Sequence, residues 1–258
     1  MPRFAANLNF LFTELPLLDR FDAAAKAGFT AVESTNLYEA TAEDLAARLK
    51  ANGLTLALFN TPMGNAAAGE RGLAALAGRE NDFWAAFETA LRYADITGGR
   101  RIHLVAGLMH QGAQRATYVA NLRKAAQAAT TAGVEVLIEP LNRRDNPGFL
   151  LNKTGEARAI IHEVGSPSLR LQFDLYHRQI EEGDVALAIK EFAPITAHYQ
   201  IASPPDRGEP DDGEMNYRYL LQRIDDTGFD GWIGCEYRPR NGTLAGLKWT
   251  AACGVTLG

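Results

Sequence analysis

Eight times along this chain, a short run rich in apolar and β-branched residues gives way to a longer stretch with helical spacing. The runs are RFAANLNF (3–10), FTAVES (29–34), LTLALFN (54–60), RIHLVAG (101–107), VEVLIEP (134–140), LRLQFD (169–174), ITAHYQI (195–201) and GWIGCEY (231–237). Between them, residues 15–28, 41–53, 81–99 and 115–133 carry apolar side chains at three- and four-residue intervals. Gly28, Gly53, Gly98, Gly133 and Gly228 stand just past such stretches, where glycine closes a helix. Thr41 with Asp44, and Thr154 with Glu156 and Ala157, read as helix N-terminal caps. Alternating strands and helices imply parallel strands joined by crossover helices. Eight such units favour an α/β fold closed into one (β/α)₈ TIM barrel over residues 1–258. An open doubly wound sheet is disfavoured, since no GxGxxG follows the first run.

In such a barrel, chemistry is built at the C-terminal ends of the strands. The last four runs each bring an oxygen-bearing side chain to that end: Glu139, Asp174, Gln200 and Glu236, each about one strand–helix unit beyond the last. Adjacent strands lie ~4.8 Å apart, so all four can converge above the barrel. Any one acid is ordinary where a strand meets water; four in register are not. Unit like charges ~4 Å apart repel by ~4 kcal/mol at intermediate dielectric. Either some of the acids are protonated or a cation sits among them. An all-oxygen set suits Mg²⁺ or Mn²⁺ better than zinc.

Charge and composition narrow the partners. The 258-residue chain has a formal net charge of −5, whereas polyanion binding leaves a basic footprint. Nucleic acid is therefore not an expected partner. No apolar stretch approaches the ~20 residues that span a bilayer, the first ten residues do not read as a secretory signal, and Cys235 and Cys253 form no CxxC pattern. The expectation is a cytoplasmic protein with no membrane partner, and a homo-oligomer is compatible with all of this.

The segments GERG (69–72), IEPLNRRDNPGF (138–149), QFDLYHRQIEEGD (172–184), HYQIASPPDRGEPDDGEMNY (198–217) and WIGCEYRP (232–239) together resemble the hydroxypyruvate isomerase family. That family includes the 2-oxo-tetronate isomerases and belongs to the xylose-isomerase-like TIM barrels, and the resemblance covers nearly the whole chain. It implies a metal-dependent isomerase that moves hydrogen between adjacent carbons of a small anionic hydroxy-oxo acid through an enediol. By the same resemblance, Glu139, Asp174, Gln200 and Glu236 match the ligands of one Mg²⁺ or Mn²⁺ ion. Glu139 and Glu236 also match the acid/base pair, and His177 a substrate-binding histidine. Arg207 and Arg71 are candidates for clamping the substrate carboxylate, with Glu70 orienting one of them. His198 shares the inward face with Gln200 and is expected to support the metal site from behind.

Other residues read as ordinary packing or capping. Cys235 is expected to point outward under the helices, Trp84 and Phe87 to pack inward, and Asn216 with Tyr217 to open a helix. His103, His110 and His162 show no constellation. The chain departs from the family pattern at Ser34–Leu37, at Ser203 where Asp is usual, and at Asn65. A ketose 3-epimerase is a related alternative, disfavoured because those enzymes carry His at the Gln200 position. A non-catalytic sugar-acid-binding barrel and an apurinic endonuclease are alternatives from other classes.

Overall fold

A computed structural model describes residues 2–257. Eight strands, β1 (Arg3–Asn7), β2 (Ala31–Ser34), β3 (Thr55–Asn60), β4 (Arg101–His103), β5 (Glu135–Ile138), β6 (Leu169–Asp174), β7 (Thr196–Ile201) and β8 (Trp232–Cys235), form one closed parallel barrel in sequence order. The seam is the parallel pairing of β8 with β1, with Arg3 opposite Trp232. Ten α-helices are described: α1 (Leu17–Lys26), α2 (Ala42–Asn52), α3 (Glu80–Thr97), α4 (Arg115–Ala132), α5 (Thr154–Val164), α6 (Leu175–Glu181), α7 (Val185–Phe192), α8 (Tyr217–Asp225), α9 (Thr243–Gly246) and α10 (Trp249–Cys253).

Strands covered by helices outside and by one another inside are buried on both faces, hence the nearly continuous apolar runs. The main core lies between barrel and helices, where Val32, Ile102, Val136 and Ile233 meet Phe21, Leu45, Phe87 and Leu122. Cys235 is buried in this layer, as alternation from Glu236 predicts. On α3, Phe83, Trp84 and Phe87 pack against one another with nearly parallel rings, Phe83 and Phe87 buried and Trp84 half-buried against the core. Alternation places Ala5, Ala31 and Leu137 one inward layer below Asn7, Glu33 and Glu139. All three are buried in small apolar clusters that close the barrel floor.

Several runs end sooner than their composition suggests. β4 stops at His103, after which Leu104 N–H still bonds Leu137 O (2.9 Å) and the chain turns at Gly107 with φ 109°. β5 and β8 stop at Ile138 and Cys235, so Glu139 and Glu236 are each the first residue beyond a strand. Thr41 caps α2 by accepting from Asp44 N–H (3.1 Å). Thr154 does not cap α5: it is the first helical residue, and its N–H and hydroxyl both donate to Glu182 from the next unit. A tertiary partner has taken the place of the local cap.

Two register irregularities aim the polar ends. One lies between Val32 and Glu33 against β3, the other between Leu171 and Gln172 against β7. Bulges of this kind re-aim side chains near functional sites. After the second, Asp174 and Gln200 stand side by side across β6 and β7.

Candidate active site

Glu139, Asp174, His177 and Glu236 are all buried, and one potential ligand atom from each lies within 4.8 Å of the others. Asp174 ends β6 and caps α6, with Oδ1 accepting from Tyr176 N–H (2.7 Å). That cap leaves Oδ2 turned toward the cluster without a hydrogen-bond partner among the described residues, as is Oε1 of Glu139. Because α6 starts at once, His177 comes back over Asp174, its Nε2 3.6 Å from Oδ2. Nδ1 of His177 accepts from Asn142 N–H (3.2 Å) and lies 2.6 Å from the Asn142 amide. A backbone N–H can only donate, so in neutral His177 the proton sits on Nε2. The ring therefore offers the cluster a donor rather than a metal-ligating lone pair.

Burial governs the charges. It raises Glu139 well above the usual carboxylate range, with Glu236 and Asp174 adding to the effect. Glu236 is pushed up to about 8 by burial, which outweighs the nearby Arg207, and burial likewise raises Asp174 to about 6. Burial, then the guanidiniums of Arg207 and Arg71, lowers His177 well below its ordinary value. Three crowded acids, two of them with an unpartnered oxygen among the described residues, form a hard-oxygen nest, and the donor set fits a divalent cation such as Mg²⁺ or Mn²⁺.

Gln200 is buried beside Asp174, but its carbonyl oxygen accepts from Gln172 Nε2 (2.6 Å) and its amide nitrogen donates to Glu33 Oε1 (2.8 Å). A carbonyl has two lone pairs, so one is left for a further partner. His198 donates through Nε2 to Glu33 Oε2 (2.5 Å) and reaches the acids only through that carboxylate.

Arg207 lies in a loop whose base is the Ser203–Gly208 pair of backbone hydrogen bonds (2.8 and 3.1 Å), and it has φ 57°. A non-glycine residue in this region carries strain of order 1 kcal/mol, held here by Arg238 N–H on its carbonyl (2.7 Å). The guanidinium stacks 4.9 Å from the ring centres of both Phe10 and Tyr176, donates to Glu236 Oε2 (2.6 Å) and lies 3.6 Å from Asp174. Arg71 forms no ion pair among the described residues; it donates to the neutral Asn146 side chain (2.6 Å). Both arginines line a cavity of about 220 Å³ together with Glu139, Glu236, His177 and His103, walled by Phe10, Met63, Leu141 and Phe149. That volume lies below the ~300–1,000 Å³ of typical drug-sized sites and matches a ligand of a few carbons.

Glu70 is not among the residues lining this cavity, and among the described residues it forms no hydrogen bond or ion pair with Arg71 or Arg207. Its carboxylate accepts from Asn65 N–H (2.6 Å) and from Arg79 (2.8 Å), tying down the loop from which Arg71 projects. Asn216 caps α8 on Tyr219 N–H, and Glu209 is held by Arg240.

The profile of the xylose isomerase-like TIM barrel family matches residues 21–253. A 2-oxo-tetronate isomerase of Cupriavidus necator is 56% identical over 253 residues, 96% of this chain and 97% of that protein. The chain belongs to the hydroxypyruvate isomerase family. The hydroxypyruvate isomerase of Escherichia coli K12 is 42% identical over 96% of this chain and 98% of its own. Among solved structures, an AP endonuclease, family 2, from Brucella melitensis superposes with a TM-score of 0.94 at 45% identity, covering 97% of this chain and 98% of that one. A 3-keto-D-glucoside 4-epimerase of E. coli, at 22% identity and a TM-score of 0.80, shares the fold. Like these relatives of the hydroxypyruvate isomerase family, the chain is an isomerase.

Two residues of the site escape the sequence reading. His103 lines the cavity with both ring nitrogens unpartnered, and its Nδ1 is 3.6 Å from Glu139 Oε2. Burial lowers its pKa to about 3, so it is a neutral imidazole. Glu33, also buried, has its oxygens answered by donors from β1 and β7. Both are polar residues at inward positions near strand ends, the same signal that singles out Glu139 and Asp174.

Proposed function

We propose that this isomerase acts on a short hydroxy-oxo acid, of the hydroxypyruvate or 2-oxo-tetronate type, moving hydrogen between adjacent carbons through an enediol with the help of one divalent cation. Three clustered buried carboxylates, two of them keeping an unpartnered oxygen among the described residues, beside a small cavity lined by Arg71, an arginine without an ion pair among those residues, carry this reading.

Glu139, Asp174 and Glu236, with the remaining carbonyl lone pair of Gln200, would hold Mg²⁺ or Mn²⁺. When bound, such a cation polarises the substrate carbonyl and supports the negative charge of the enediolate. Arg71, free of acidic partners, takes the substrate carboxylate, a pairing favoured by guanidinium geometry. His177 donates from Nε2 to a substrate oxygen. Glu139, whose Oε1 is unpartnered, removes the proton from one carbon, and Glu236 serves the neighbouring carbon while Arg207 fixes its carboxylate. The apolar wall of Phe10, Met63 and Phe149 keeps water from the carbanion-like carbon. An endonuclease activity, as in the name of the Brucella structure, would need a polyanionic substrate, to which a chain of net charge −5 offers no basic footprint.

The test is a panel of three- to six-carbon oxo acids and neutral ketoses, run on chelated protein with and without added Mn²⁺ or Mg²⁺. Turnover of a short oxo acid that is lost on chelation and restored by the ion is expected; full activity after thorough removal rejects the cation. Arg71→Ala should raise KM for the oxo acid by roughly 10–100-fold, the worth of a charge-assisted contact, and leave a neutral ketose nearly unchanged. Equal effects on both would remove Arg71 from carboxylate recognition.

A further inference from the structure

Glu33 is a buried carboxylate at the end of β2 for which the proposed reaction has no use. Oε1 accepts from Asn7 Nδ2 (2.9 Å) and Gln200 Nε2 (2.8 Å), and Oε2 from His198 Nε2 (2.5 Å). Those donors come from β1 and β7, the two strands that flank β8. Asn7 Nδ2 also reaches Glu236 Oε1 (3.2 Å). Space has been left for this carboxylate: a Cβ on Gly234 of β8 would overlap both of its oxygens. Glycine at 234 therefore serves a close approach, and Glu33 fills the notch.

We propose that Glu33 is the positioning residue of the cation site, setting which atom of Gln200 faces the acids and fixing Glu236 through Asn7. An amide is nearly symmetric in shape, and an acceptor-only partner is what breaks that symmetry. A carboxylate draws the Gln200 NH₂ group to itself, so the carbonyl oxygen turns away from Glu33, where Gln172 Nε2 (2.6 Å) takes one lone pair and leaves the other for the cation. Asn7 is oriented in the same way, its NH₂ on Glu33 and Glu236 and its Oδ1 accepting from Asn9 N–H (3.0 Å). Outer partners that orient ligands are typically worth 10–100-fold in metal affinity or activity. This proposal rests on the cation reading and adds to it the source of the ligands' orientation.

The test measures Mn²⁺ affinity directly, from the free-ion paramagnetic signal at a temperature where each protein is folded. Glu33→Gln leaves a single acceptor oxygen where two held Asn7, Gln200 and His198, so at least one of the three loses its orienting partner. The expected result is a Kd for Mn²⁺ raised at least tenfold, with most of the lost turnover recovered at saturating Mn²⁺. A residue that merely supports the fold would lower Tm and leave that Kd alone, so a Kd within twofold of wild type overturns the proposal. If Glu33→Gln does not fold, Asn7→Ala, which removes the bridge from Glu33 to Glu236 and leaves the Glu33–Gln200 bond in place, decides by the same reading: a Kd raised at least threefold supports the role and an unchanged one sinks it. Wild-type protein that binds no Mn²⁺ would overturn the cation reading itself, and this inference with it.

Discussion

Two sets of acids share the barrel interior and are treated in opposite ways. Glu33 is surrounded by donors, with Asn7, Gln200 and His198 answering its oxygens. Glu139 and Asp174, in the outer set clustered with His177 and Glu236, each keep an oxygen with no hydrogen-bond partner among the described residues, and the shortest contact of Glu236 is to a long, adaptable side chain, that of Arg207. Residue type, burial and place at a strand end are alike. What differs is whether the lone pairs are spent on the protein or kept for something else. A buried polar group left unpaired is destabilising by ~1–3 kcal/mol, so the outer set marks chemistry and the inner set scaffolding.

The sharpest way to break that contrast is to neutralise the outer acids without changing their shape. Glu139→Gln and Glu236→Gln should each lower kcat by about 10²–10⁴-fold, the usual worth of a positioned acid or base, with folding intact by circular dichroism. If either retains more than about a tenth of wild-type turnover, that glutamate is not the proton carrier.

A neutral member of the outer layer allows a second test. His103 is held uncharged by burial, with a pKa of about 3, against about 6.5 in an unfolded chain. Below pH 6.5 the unfolded state takes up a proton that the folded state refuses, so this stability is present above 6.5 and is lost as pH falls toward 3. Between pH 7 and pH 5 the loss is about 2 kcal/mol, from 1.36 kcal/mol per unit. Denaturant titration of His103→Gln at both pH values should show that part of the acid-side loss removed. Parallel pH curves for the two proteins would mean the ring is protonated or solvated after all.

The barrel could be read from the chain because parallel strands buried on both faces must be apolar throughout, and because helix-ending glycines such as Gly53, Gly98 and Gly133 adopt left-handed backbone where expected. Glu139, Asp174 and Glu236 were legible for a similar reason: an acid that closes an apolar run is costly to bury, so its place there points to chemistry. Glu33 carries the same mark within FTAVES, yet a test of the last four strands alone passes it by. The engagement of Gln200 with Gln172, the turning of Glu70 to Arg79 and the seat of Arg207 on Glu236 had no such mark. These contacts depend on bulges, on loop paths and on a positive φ at Arg207, which distant parts of the chain settle jointly.

The finest discrimination between the two layers is a matter of stability in chelated protein, where the acids stand without a cation. Glu139 has a folded pKa well above its unfolded value, so its folded form clings to a proton that the unfolded chain releases from about pH 4.3 upward. Its contribution is then most favourable in acid and shrinks as pH rises toward the folded pKa. Glutamine cannot lose that proton, so the gain of Glu139→Gln over wild type should grow between pH 5 and pH 8. A growth on the order of 1 kcal/mol would appear as roughly 2–4 °C in Tm for a chain of this size. Glu33→Gln should move the other way at every pH, because it puts an NH₂ group where a carboxylate oxygen accepted from neighbouring donors. Calorimetric scans of both variants and wild type at pH 5 and 8 read the two slopes side by side. If the substitution at 139 is as damaging as that at 33, the outer carboxylates are already satisfied, and the division between a spent layer and a waiting one has to be redrawn.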